Sequence, residues 1–350
     1  MTGRDVFLRA LRREPVPYTP IWLMRQAGRY LPEYRAVREK YSFFEMCRIP
    51  DVAVEVTLQP IRRYELDAAI LFSDILVPLV PMGIDVEFSE GKGPQILNPV
   101  REEADVRSLR VIEAREDVPF VSEALRRLKE ELKGDRALIG FSGAPFTLAS
   151  YAVEGGHSKD YKLIKTLMWT RPDLYAAMME TFTDTVIEYL SLQIESGADA
   201  VQLFDSWVGN LSAADFRTNA LPYVRRIVEA LKQYGVPIIY FGTMTGGFFS
   251  DIATLPVDCV GVDWRIDIDR ARDIIGHDKA VQGNMDPVVM FADASAIKAA
   301  AADVLRRVGT ETGHVFNFGH GIMPGVPVDN VAILVDFVHT ESAKIRAGVQ

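Results

Sequence analysis

Cysteine is scarce in this chain of 350 residues: Cys47 and Cys259 are the whole supply. Two thiols so far apart make neither a disulfide framework nor a paired metal-binding motif. Long hydrophobic runs are missing as well. The most apolar stretch, AAILFSDILVPLVPMGI, is broken by Ser73, Asp74, Pro78 and Pro81, which excludes it as a membrane span. The opening MTGRDVFLRALRREPVPYTP carries no apolar signal core and no small-residue cleavage site. Positive charge is in deficit: 39 Lys+Arg against 48 Asp+Glu give a formal net charge of -9, which argues against a general nucleic-acid binder. No Pro-, Gly- or Ser-rich linker divides the chain, and no repeat of fixed period recurs. These absences predict a cytoplasmic protein with reduced thiols, organised as one domain over residues 1–350. A hydrophobic content of 48% and a charged content of 25% place it among ordinary globular proteins with a large core.

Eight short apolar or β-branched runs stand out, at 20–24, 68–73, 137–142, 198–204, 237–242, 259–264, 279–284 and 314–319. Helical patterns with start and stop signals lie between them. Pro172 opens a helix whose Leu174, Met178, Phe182, Val186 and Tyr189 share a stripe ending at Gly197. Pro222 opens another, which carries Ile227, Leu231 and Tyr234 to Gly235. Ser295 is expected to cap a third, with Ile297, Ala301 and Leu305 before Gly309. Eight strands alternating with helices predict an α/β fold, a single (β/α)8 (TIM) barrel, because parallel strands need crossover helices. GIDVEFSEGKGPQILNPV reads as a small hairpin insertion after the second strand. A doubly wound sheet is the structural alternative.

In such a barrel, function sits at the carboxyl ends of the strands. Those ends offer Arg25, Gln26 and Arg29, then Asp74, Ser142, Asp205, Ser206, Gly242, Asp263, Asn284 and His320. The first group belongs to PIWLMRQAGRYLPEYRAVREK, residues 20–40, where Arg25, Arg29, Arg35, Arg38 and Lys40 stand with only Glu33 and Glu39 among them. Charge count alone favours a solvated, salt-bridged surface. A cleft for a small polyanion is the sharper reading, since a local field opposes a net charge. If the turn is helical, Arg25 and Arg29 share a face. Asp74 reads alone as a helix cap, Tyr151 as a half-buried aromatic, Ser206 as a cap and His320 as a structural hydrogen-bonder.

PIWLMRQAGRYLPEYR and GFSGAPFTLASYAVEGG resemble the two signature segments of the uroporphyrinogen decarboxylase family. LFSDIL, QLFDSW, GVDW, QGNMDP and NFGHGI resemble further family segments in the expected order. The resemblance runs from the first strand to the last helix; PGVPVDN, after His320, departs from the usual continuation. It implies a barrel, usually a homodimer, that converts uroporphyrinogen III to coproporphyrinogen III. Four acetates lose CO2, with no metal and no organic cofactor. It also implies site residues. Arg25, Gln26, Arg29 and Arg38 match active-site positions; Asp74 accepts the pyrrole N–H groups, and Tyr151 orients the substrate beside it. Ser206 and His320 contact carboxylates, and Phe204 packs on a pyrrole ring. The catalytic set is Asp74, Arg25 and Tyr151. The proton donor stays open among Arg25, Arg38, Tyr151 and water. Two rivals share the scaffold: a zinc-dependent corrinoid methyltransferase, which needs grouped Cys and His ligands that this chain lacks, and a non-catalytic tetrapyrrole-binding protein.

Overall fold

The computed structural model describes residues 1–89 and 93–348. Its strands are β1 (Ala68–Ile70), β2 (Val86–Ser89), β3 (Gly93–Ile96), β4 (Ala137–Gly143) and β5 (Ala200–Asp205). They continue with β6 (Ile238–Gly242), β7 (Cys259–Gly261), β8 (Ala280–Gln282) and β9 (His314–Val315). Seven of them form one curled parallel sheet in the order β1-β4-β5-β6-β7-β8-β9. The remaining two, β2 and β3, pair antiparallel with Val86 opposite Ile96. The turn of the expected hairpin, residues 90–92, lies outside the described residues, as do the last two residues of the 1–350 domain.

The run at 20–24 forms no ladder of its own, and in this the expectation of eight regular strands is corrected. Ile21 makes a single parallel bridge to Phe316. Its carbonyl accepts the Asp67 N–H at 2.9 Å, while Phe316 N–H donates to Pro20 at 2.8 Å. Residues 20–22 therefore lie between the two edges of the sheet. Buried Asp67 holds them there, accepting Ile21 N–H at 2.8 Å.

Alternation along the strands separates two cores. Ala137 and Ile139 of β4 pack inward with Ala200, Ile239, Cys259, Ala280 and Val315. Leu138 of the same strand faces the surrounding helices. The helix Gly3–Leu11 buries Val6, Phe7 and Leu11 against that inner cluster. Ala68, Ala137, Ala200 and Ala280 stand at the strand starts, and their small side chains leave room for this plug. Above it runs a buried polar chain: Trp22 Nε1–H donates to Gln282 at 2.9 Å, and Gln282 donates to Gln202 at 3.0 Å. Buried polar groups so paired avoid the cost of desolvation and give the interior one arrangement.

The helices follow their local signals. Pro172–Glu195 buries the expected stripe, and Gly197 turns the chain at φ +111°. Leu221–Leu231 runs into a 3-10 turn that ends at Gly235 in the left-handed region. The helix Ala294–Val308 starts one residue before the predicted cap. Asp293, not Ser295, accepts the Ala296 N–H at 2.9 Å.

Candidate active site

The turn that follows residues 20–24 is not helical. Residues 25–31 form irregular turns, and the first helix of this region, Pro32–Arg38, begins only after them. Arg25 stands in the left-handed region at φ 63°, an uncommon conformation for a residue with a side chain. Buried Gln26 holds the turn. Its Oε1 accepts Leu23 N–H at 3.0 Å and its Nε2 donates to Ala68 O at 3.1 Å, tying the turn to β1. Both polar atoms of the Gln26 side chain thus have backbone partners. Gln26 positions the arginine beside it, and its amide is turned to the scaffold.

Opposite the turn, Gly321 makes room for Arg25. A Cβ there would meet Arg25 Cδ at 2.4 Å, Cγ at 2.7 Å and Nε at 2.9 Å. The exposed guanidinium of Arg25 makes no side-chain hydrogen bond or ion pair among the described residues. Arg29 is likewise exposed, and its guanidinium is free in the same sense. Arg38 donates to Tyr41 O at 2.7 Å. Arg29 and Arg38 both lie close enough to buried Tyr34 to favour ionisation of its phenol against the larger effect of burial. Arg35 has the ordinary employment: it donates to the carbonyls of Arg29 and Tyr30 at 2.9 and 3.0 Å and closes the turn.

Asp74 lies four residues beyond β1 rather than at its end. Its Oδ1 accepts Leu76 N–H at 2.9 Å, so it does cap a turn; Oδ2 has no hydrogen-bond partner among the described residues. Solvent reaches part of the residue, yet protein crowds the carboxylate closely. Burial pushes its carboxyl above the usual range, opposed first by the Leu76 N–H and then by the charge of Arg25. Tyr151, on the helix Pro145–Glu154, faces the same two charges. Burial, then Asp74, push its phenol up to about 12, and Arg25 works against them. His320 follows β9. Its imidazole is pushed down to about 4 by burial, then by Arg25 and Arg265, so it is neutral at pH 7. Asp74, Tyr151 and His320 therefore all sense Arg25.

Phe204 of β5 packs edge-on against Phe141 at 5.6 Å and near Phe241 at 6.0 Å. The three rings stand toward the carboxyl ends of β4, β5 and β6 and top the inner core there. Ser206 begins the turn after β5. Its carbonyl accepts Thr243 Oγ1–H at 2.6 Å, and its hydroxyl makes no hydrogen bond among the described residues. Asp205 beside it is fully buried, accepting Thr147 at 2.7 Å and Tyr240 at 2.8 Å; burial pushes its carboxyl up to about 6. That network braces the turn which presents Ser206.

Three aromatic or charged partners of the site escaped the sequence reading. Trp207 lies 5.7 Å from Tyr151, 5.3 Å from His157 and 5.5 Å from Tyr161, walling the Tyr151 side. Trp264 stands edge-on to His320, and the charge of Arg265, stacked on Trp264, acts on the imidazole. GVDW contained the tryptophan, but its proximity to NFGHGI depends on β7 and β9 both neighbouring β8. A cavity of about 290 Å³ lined by Arg13, Arg272, His277, Lys279, Glu311 and Thr312 lies at the amino ends of β8 and β9. It is remote from this cluster, and Arg272 there is already paired with Glu311 at 2.9 Å.

No group of three metal-ligating side chains occurs among the described residues. Burial pushes both Cys47 and Cys259 thiols well up, away from the thiolate that zinc requires. Around Arg25 the fold assembles a crowded carboxylate, a neutral imidazole and a phenol. Such a set suits a flat or domed polycarboxylate with N–H donors at its centre.

A family model described as uroporphyrinogen decarboxylase (URO-D) matches residues 2–341. A curated relative of that name from Carboxydothermus hydrogenoformans is 50% identical over 339 residues, covering 97% of each chain. Another from Chloroflexus aurantiacus is 51% identical over 341 residues, covering 96% of each. Among solved structures, a methyltransferase from Methanosarcina mazei superposes with a TM-score of 0.82 at 20% identity, over 97% of this chain and 98% of that one. A B12-independent methionine synthase from Shewanella gives 0.56 at 11% identity, over 83% and 88%. At such identities these two report the fold alone.

Proposed function

The chain belongs to the uroporphyrinogen decarboxylase family, and from that premise we propose how its own residues carry out decarboxylation in tetrapyrrole biosynthesis. Residues 20–22 act as the first stave of an eight-stave barrel, the β2–β3 ribbon is an insertion after β1, and residues 1–350 are one catalytic domain. The substrate is uroporphyrinogen and the product coproporphyrinogen. The observation that carries this reading is Asp74: a crowded carboxylate with one oxygen held by Leu76 N–H and the other without a partner.

A porphyrinogen is flexible between its rings, so it domes and aims its pyrrole N–H groups at one acceptor. Donors converging on Asp74 stabilise its charged form and offset the cost of desolvation. Phe204 then supports a ring face. Arg29, Arg38, Ser206 and His320 hold carboxylates around the rim, with guanidinium forks suited to bidentate contacts. Gln26 acts indirectly, by fixing Arg25. Tyr151 orients the macrocycle beside Asp74.

The chemistry must supply an electron sink, because the acetate methylene has no carbonyl beside it. A proton added to the pyrrole carbon next to the acetate-bearing one makes the ring cationic. The C–CO2 bond then breaks, its electron pair enters the ring, and CO2 leaves. A second proton on the exocyclic carbon gives the methyl, and loss of the first proton from the ring carbon restores the pyrrole. Asp74 stabilises the cationic stage; opposite unit charges about 4 Å apart attract by roughly 4 kcal/mol at an effective dielectric of 20. Tyr151, Arg25, Arg38 and water remain the proton sources. Arginine is a weak acid for this purpose, and the Tyr151 phenol holds its proton up to about pH 12. Solvent delivered past Tyr151 and Arg25 fits these properties best.

Anaerobic incubation with uroporphyrinogen tests the reading. We expect stepwise loss of four CO2 and accumulation of the tetracarboxylate, with a pH–rate profile left in place by Tyr151→Phe and Arg25→Lys. Binding without turnover by the parent protein refutes the enzyme reading in favour of a carrier. A shifted profile in one variant identifies that residue as the donor. The expected homodimer is checked by light scattering, which should return twice the chain mass.

A further inference from the structure

Beyond the site so far described, the β7 end of the barrel carries a guanidinium with a defined posture. Asp263, buried two residues past β7, receives Arg265 twice: the backbone N–H at 2.9 Å on one oxygen and Nη1 at 2.8 Å on the other. The second oxygen also accepts Met244 N–H at 2.6 Å. Asn284, after β8, donates to the carbonyls of Asp263 and Ile266 at 2.9 and 2.7 Å and pins the loop between them. The Arg265 guanidinium stacks over the Trp264 ring, with its carbon 4.0 Å from the ring centroid. Its Nε and Nη2 make no hydrogen bond among the described residues, and its side chain is 46% exposed.

This loop is locked to His320. Trp264 meets the imidazole edge-on at 6.4 Å. Gly319 passes so close beneath that a Cβ would lie 2.3 Å from Trp264 N and 2.8 Å from Asp263 C. His320 thus stands between Gly319, packed on the Asp263–Trp264 backbone, and Gly321, packed on Arg25, and both arginines act on its ring. Two cations this close to a neutral ring, with one guanidinium unpaired and the other half-paired, are complementary to an anion.

We propose that Arg265, stacked on Trp264 and flanking His320, forms a carboxylate subsite that anchors one of the four side chains the reaction leaves intact. This deepens the decarboxylase reading and rests on it. Arg25 influences both Asp74 and His320, whereas Arg265 influences His320 and is not among the charges acting on Asp74. β7 stands four places from β1 in the sheet order, so the loop that carries Arg265 lies across the barrel mouth from the one that carries Asp74. A group at that remove binds ground state and transition state alike, which lowers KM without raising kcat. An anchor on a surviving carboxylate acts equally in all four decarboxylations; an anchor on an acetate loses its purpose once that acetate is gone.

The test is Arg265→Gln assayed with uroporphyrinogen and with the isolated pentacarboxylate intermediate. We expect KM to rise about tenfold for both substrates, as for loss of a charge-assisted contact, and kcat to stay within about threefold. Arg265→Lys keeps the charge but loses the planar fork, and should fall between. In the free protein, NMR titration of His320 should show its pKa rising in Arg265→Gln as a neighbouring cation is removed. Parent-like KM values in Arg265→Gln, with the parent enzyme active, overturn the subsite alone. A KM defect confined to the first substrate reassigns the contact to an acetate and overturns the proposal as stated. An inactive parent overturns the decarboxylase reading beneath it, which the His320 titration leaves untouched.

Discussion

At Asp74, catalytic use and folding stability pull in opposite directions. The carboxylate is crowded and burial raises its pKa, so the charged form is the one that the protein environment disfavours. Asp74→Asn keeps an oxygen for the Leu76 N–H and removes the charge. Turnover should be abolished, because the cationic ring stage loses its counter-charge. Stability should be equal to the parent or higher, as when a strained functional group is relieved. Calorimetry beside a product assay checks both halves; a variant that decarboxylates at near parental rate ends the assignment of Asp74. His320 shows why residue type alone says little. Burial, then the neighbouring Arg25 and Arg265, keep it neutral, so the carboxylate contact proposed for it is a hydrogen bond and not an ion pair.

Among elements, the short strand ends and turns decide the cleft. Gly319 and Gly321 flank His320, and their crowding differs in kind. A methyl at Gly321 meets the flexible stem of Arg25, while one at Gly319 meets the backbone of Asp263 and Trp264. Gly321→Ala should fold with little loss of stability and lower kcat/KM by about tenfold or more through a displaced Arg25. Gly319→Ala should cost about 1–3 kcal/mol in stability by overpacking. Denaturant melts with steady-state kinetics separate the two; equal effects of both substitutions would contradict the packing described. Much of this level was legible in the chain. The run 137–142 and the stripe from Leu174 to Tyr189 declare themselves by local periodicity, and Gly197 and Gly235 stop helices where expected. Less local features were not. The left-handed turn at Arg25 depends on Gln26 reaching Ala68 and on Gly321, far along the chain. Asp293 and Ser295 are both good caps, and only the hydrogen bond to Ala296 chooses between them. The proposed site residues were nameable from the signatures, but the approach of Trp264 to His320 needed the strand order.

For the whole molecule, we expect buried histidines to set the acid limit of the fold. His314 begins β9, wholly buried, with Nε2–H donating to Gly283 O at 2.9 Å and Nδ1 unpartnered. Its pKa is pushed down to about 3, chiefly by burial and further by Arg272 and Arg346. An unfolded chain restores an ordinary histidine near 6.5. Below that pH the unfolded state binds a proton that the folded state refuses, so stability falls as pH falls. The loss begins near pH 6.5 and is complete near pH 3, where it reaches on the order of 4 kcal/mol for this residue. His320, neutral to about pH 4, adds a loss of the same sign over a narrower window. His314→Gln retains an amide donor for Gly283 and cannot take up the proton. It should therefore flatten the dependence of unfolding free energy on pH between 6.5 and 4, even if it lowers stability at pH 8. Urea titrations at several pH values read the slope directly. A variant whose stability declines with acid as steeply as the parent's would show that the protons are taken up elsewhere, and that β9 does not control acid unfolding.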